Sequence, residues 1–192
     1  MLMAEQPIKT MFYTALWRQL GAATDMLENA LLACPASLWR ERLWSASPPA
    51  GFPPQFAEFW YVTFHTLVFF DLHVSGVPEE EFAPPAPFAQ GELDSVEALP
   101  ERPYTREELH AYLVATRQKC HTRLLQLSDE QESQAVSYPW SGGQLISYLE
   151  LQLYTLRHVQ EHAAQLSLFL GQHGVPGEAL DWVPQAGEER GS

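Results

Sequence analysis

The chain has 192 residues, enough for one domain of ordinary size with a substantial core. Its 24 acidic residues against 11 basic ones give a formal net charge of −13, a balance that repels nucleic-acid phosphates and anionic lipid and so argues against both partners. No apolar run approaches the about 20 residues needed to cross a bilayer. The start, MLMAEQPIKT, lacks a basic stretch leading into an apolar core, so no signal peptide is expected.

Two cysteines, Cys34 and Cys120, make no recognisable framework. A reduced, cytoplasmic setting is the simplest reading, with each thiol a small buried residue rather than a nucleophile.

In chain order, the first helix is predicted from about Pro7 to Cys34. Phe12, Leu16, Leu20, Ala23, Leu27, Ala30 and Leu31 follow the helical period, and Cys34–Pro35 ends the run. Leu38–Trp39 and Leu43–Trp44 read as a short amphipathic turn, and the proline-rich stretch 47–54 as a loop.

The second helix is expected over Gln55–Ser75, with a stop at Gly76. Phe56, Phe59, Trp60, Tyr61, Phe64, Phe69 and Phe70 put bulk on more than one of its faces, which implies burial against several neighbours. His65 lies among Tyr61, Val62, Val68 and Phe69 at helical spacing, where an ionisable ring needs a partner. Asp71 points to a different side. His73, near the helix end, reads as a solvated cation at the negative end of the dipole.

From Val77 to Glu108 there are six prolines and nine acidic residues against two arginines. A long surface connection is expected here, and it and the tail should be the most mobile parts of the chain. Thr105–Arg106–Glu107–Glu108 carries a capping-box signal that opens the third helix, which runs to about Ser128. His110 and His121 lie on it about three turns apart and are expected at the surface or boundary. Residues 137–143 form a turn.

The fourth helix is predicted over Gly143–Gly171, a segment with no proline or glycine inside it. Leu145, Leu149, Leu156, Val159, Ala163, Leu166 and Leu170 mark its apolar stripe. His158 and His162, four residues apart, share one face along the edge of that stripe, at roughly 6 Å between Cβ atoms. Two imidazoles so placed can reach one ion. Glu161 lies off that face and is expected in solvent.

Four long helices with a long connection between the second and third make an all-α, up-down four-helix bundle. One domain is expected over residues 1–173. The tail 174–192 follows, poorly ordered apart from an anchor at Leu180–Trp182.

In such a bundle His65 can meet the His158/His162 pair. Two readings then stand. Three neutral imidazoles and one open position make a metal site of catalytic type, suited to zinc or nickel. The alternative is three boundary histidines, each satisfied by a hydroxyl or backbone group.

The helix order, the histidine within Trp60–Tyr61–Val62–Thr63–Phe64–His65–Thr66–Leu67 and the late Arg157–His158–Val159–Gln160–Glu161–His162 followed by Ala163–Ala164–Gln165–Leu166 resemble the DinB-like (DinB/YfiT) superfamily. The likeness runs from about Thr10 to Gly171. Where some members have a basic HHRGQ-type ending, this chain has His162–Ala163–Ala164–Gln165.

The resemblance implies a divalent metal on His65, His158 and His162. It also implies an enzyme activating a low-molecular-weight thiol or water, as in the thiol S-transferases and a maleylpyruvate isomerase of that superfamily. Tyr61 and Tyr154, each one turn before a histidine, are either donors lining the same small-molecule pocket or simply packed aromatics. The competing expectation is a non-catalytic bundle whose aromatic faces serve a homodimer, with a structural metal or none.

Overall fold

The computed structural model describes residues 5–46, 52–93, 95 and 98–187, with side chains from residue 11 onward. Residues 47–51 of the loop expected at 47–54 and the last five residues of the expected tail lie outside the described residues. The chain is mostly α-helical, with one pair of two-residue strands among the described residues.

Helix α1 spans Glu5–Ala33. Leu16, Leu20, Ala23, Leu27, Ala30 and Leu31 are buried along it as the periodicity requires. At its start the inward aromatic is Tyr13, 6% exposed, while Phe12 is 42% exposed. The Leu16–Leu20 stripe extended back by whole turns reaches the Phe12/Tyr13 edge, where sequence spacing alone does not separate the two.

The second helix starts later than expected. Pro54–Ala57 is a separate 3-10 turn, Glu58 is extended (φ −69°, ψ 143°), and α2 spans Phe59–Ser75. No side chain caps its N-terminus. The Phe59 and Trp60 amides instead donate to Glu41 O and Trp39 O, so the preceding turn satisfies orphan donors of the first helical turn. Tryptophan 60 also donates through Nε1 to Glu58 Oε2 at 2.6 Å. Gly76 ends α2 in the left-handed conformation (φ 65°). Nearly all of α2 is buried, as its aromatic content demands.

The connection after α2 does more than cross the surface. Phe82 and Tyr104 are buried, and Phe88 stacks on Tyr112 at 4.4 Å between ring centres. Three aromatics thus replace the absent periodic face and tie an acidic, proline-rich segment to the core. Within it, Gly91–Leu93 forms a 3-10 turn. Gly91 has φ 59°, and a Cβ there would lie 2.9 Å from Phe64 Cε1, so glycine lets this turn press against α2.

Helix α3, Arg106–Leu125, begins with the expected capping box between Thr105 and Glu108. A short helix α4, Asp129–Ser133, and strand β1, Ala135–Val136, follow. Strand β2, Ile146–Ser147, pairs antiparallel with β1. Helix α5 spans Tyr148–Gln172, with Ser147 accepting from the Glu150 amide as its cap. The fourth predicted helix therefore loses its first residues to the strand pair.

Helices α1 and α2 each pack against α3 and α5. Leu20, Leu27, Leu67, Leu109, Leu151 and Leu166, all fully buried, fill the space between them, each contributing about 1.5–3 kcal/mol of burial. Between α2 and α3, Asp71 accepts from Lys119 Nζ at 2.6 Å and from the Tyr112 hydroxyl at 3.0 Å. Past α5, Gly177–Leu180 is a 3-10 turn. The Ala186 amide donates to Arg18 O and that of Gly187 to Asp25 Oδ2, which lays this segment along α1. No helix among the described residues is long and apolar enough to cross a membrane.

Candidate metal centre

The packing of α2 against α5 brings His65 to the His158/His162 pair. Among the described residues these three form the one group of potential ligands whose candidate atoms all lie within 4.8 Å of one another. His65 Nε2 and His158 Nε2 are 3.1 Å apart. Ring centres are 4.9 Å apart for His65 and His162, and 4.6 Å for His158 and His162. A tetrahedral ion with bonds of about 2.0–2.1 Å needs ligand nitrogens about 3.3 Å apart. The donor set is three imidazoles from two helices, a type that several divalent transition metals accept.

Two of the rings are held from behind. His65 Nδ1 lies 2.5 Å from Glu92 Oε1, and His162 Nδ1 lies 2.8 Å from Gln165 Oε1. An oxygen acceptor at Nδ1 fixes the proton there and leaves Nε2 with its lone pair directed to the centre, the usual support of a ligating histidine. The third ring has no such partner: His158 Nδ1 is buried without a hydrogen bond.

His158 and His162 resist protonation. Burial first, and then neighbouring His65, push the His158 pKa far below the ordinary histidine range. The same two causes bring His162 down to about 4, against a smaller opposing effect of Gln165. Both rings are therefore neutral near pH 7, the form in which imidazole ligates.

His73 departs from the sequence expectation. It is not solvated but 0% exposed, and neither ring nitrogen has a hydrogen-bond partner. Rings of Phe69, Tyr138, Trp140, Tyr154 and His158 surround it. Burial, with a smaller effect from His65, lowers its pKa to about 3. The reason lies beyond α2. The Tyr138 hydroxyl donates to Val77 O and that of Tyr148 to Val74 O, so the 138–148 region folds over the helix end and seals it from water.

Of the two candidate tyrosines, Tyr61 lines a cavity of about 250 Å³ that reaches His65, His162 and Glu92. Its hydroxyl is packed against the Gly91 turn. Burial, then the Glu92 charge, push its pKa well above the ordinary phenol range. Tyr154 lies on the other side, stacked on Trp140 at 4.4 Å.

Asp71, expected on a different side from His65, faces α3. His110 bonds Glu28 and His121 packs on Trp17, both away from the cluster. Glu161 is exposed, and Cys34 and Cys120 are buried free thiols, each pushed up to about 12, chiefly by burial.

Glu92 is the side chain of the candidate site that sequence reasoning missed. It stands in a run of acidic residues expected at the surface, and nothing in the spacing separates it from its neighbours. Gln165 stands three residues after His162 on the same helix, and that spacing is the sequence signal for their bond. No protein-family model, curated protein or solved structure matches the chain.

Proposed function

We propose that the chain is a divalent-metal-binding protein of the DinB-like kind, an up-down four-helix bundle in which His65, His158 and His162 hold a zinc- or nickel-type ion. The observation that carries this reading is the convergence of three imidazoles from α2 and α5, with their candidate ligand atoms all within 4.8 Å of one another. The four long helices, each packed on two others, suit the bundle.

We infer further that the protein is a metal-dependent enzyme acting on a small molecule. An ion in an open three-histidine site lowers the pKa of a coordinated thiol or water into the neutral range. The chain's own residues do the rest. Glu92 and Gln165 fix the Nδ1 protons and so orient two rings, and the helices hold the histidines in place. The cavity beside His65 and His162 admits a substrate to one side of the cluster.

The reading is tested by metal content. Protein purified without an affinity tag should carry about one zinc or nickel per chain, and the His65→Ala variant should carry little. Protein that stays metal-free after exposure to both ions would overturn the reading.

Glu92→Ala is the accompanying prediction. Alanine removes the oxygen that accepts from His65 Nδ1, which glutamine would keep, since an amide oxygen also accepts, as that of Gln165 does for His162. Metal affinity should fall about 10- to 100-fold, the usual range for losing such a partner. A chelator competition titration measures this, and circular dichroism should show unchanged helix content.

A further inference from the structure

The cavity beside the histidines is chemically two-ended. Glu92, His65 and His162 are at one end. The rest of the wall is apolar, with Trp44, Phe52, Phe56 and Pro54 among its residues. Phe56 lies flat on Tyr61, 4.2 Å between ring centres and 12° between planes, and Phe52 meets Phe56 edge-on. These rings form a surface on which a flat body packs well. No lysine or arginine lines the cavity among the described residues. A ligand anion placed away from the histidines would therefore lose its water and meet no opposite charge. The volume of about 250 Å³ is below the about 300–1,000 Å³ of pockets that take drug-sized ligands.

Building on the metal-site reading, we propose that this cavity selects a compact, uncharged apolar ligand, about one ring in size, whose single donor head points to the histidines. Large hydrophilic thiols and ligands with a distal carboxylate are disfavoured by the apolar wall. The specificity determinants are the aromatic residues Trp44, Phe52 and Phe56, which touch the ligand body and not the ion.

The experiment uses the full chain loaded with Co(II), whose visible absorption changes on coordination by the histidines and again on binding a thiolate. Three probes are titrated: benzyl mercaptan, its analogue 4-(mercaptomethyl)benzoate, and glutathione. The first two share ring and thiol and differ only in a distal carboxylate. Benzyl mercaptan should bind at least about tenfold more tightly than either of the others. Trp44, 42% exposed at the rim, can take a Trp44→Arg substitution without opening the core. That variant should narrow the gap between the two ring thiols about tenfold by giving the carboxylate a partner.

Equal or tighter binding of the carboxylate-bearing thiol or of glutathione by the unmodified chain would overturn the selectivity proposal while leaving the metal site standing. An unchanged ratio in Trp44→Arg would overturn the placement of the ligand body in this cavity. If Co(II) alone produces no coordination spectrum, the metal reading fails at the first step and the proposal falls with it.

Discussion

His158→Ala should weaken divalent-metal binding by more than about 100-fold, beyond the range expected for loss of a supporting residue alone. Its Nε2 lies 3.1 Å from that of His65, and the substitution removes one of three candidate ligands and leaves two rings, one on each helix. The fold should survive. Alanine is the best helix former, and the change also removes a buried Nδ1 that has no hydrogen bond. Chelator competition gives the affinity and circular dichroism the helix content. Glu161→Ala serves as the control, because Glu161 is exposed on the same helix and is not one of the candidate ligands. It should leave the affinity unchanged.

The metal-free protein should lose stability as the pH falls from 7 to 5. His73 is buried and neutral, with its pKa lowered to about 3, and His162 is lowered to about 4. An unfolded histidine titrates near about 6.5. Between that value and the folded ones the unfolded chain binds more protons than the native chain. Stability therefore rises with pH across the window and drains away as the pH drops through it. The loss from pH 7 to 5 should be about 2 kcal/mol from fully buried His73, and less from partly exposed His162. Urea denaturation at the two pH values measures the difference. His73→Phe should remove its share of the pH dependence, since phenylalanine fills a similar space without a titrating group. Identical stability of the parent at both pH values would contradict the burial of His73 as a neutral ring.

Much of this arrangement is legible in the residues themselves. Helical periodicity marks all four long helices. The His158/His162 spacing puts two imidazoles on one face of the last helix, and the aromatic load of α2 sets His65, half-buried, among close neighbours. What escapes such reading depends on contacts distant in sequence. Helix α2 begins at Phe59 because Trp39 and Glu41 accept its first amides, a pairing no local pattern announces. The shortened start of α5 follows from the pairing of Ile146–Ser147 with Ala135–Val136, two residues each and too short for a periodic signal. His73 is dry because Tyr138 and Tyr148 reach back over the end of α2, and Glu92 reaches His65 because Gly91 turns the chain tightly against Phe64. In both cases a residue expected in solvent is taken inside by a segment whose own sequence is irregular.

The most direct test of the three-histidine centre is X-ray absorption at the zinc or nickel edge of the loaded full chain. The account predicts a first shell containing three imidazole nitrogens at about 2.0–2.2 Å, falling to two in His158→Ala. A first shell dominated by sulfur or carboxylate oxygen, or one unchanged by His158→Ala, would contradict it.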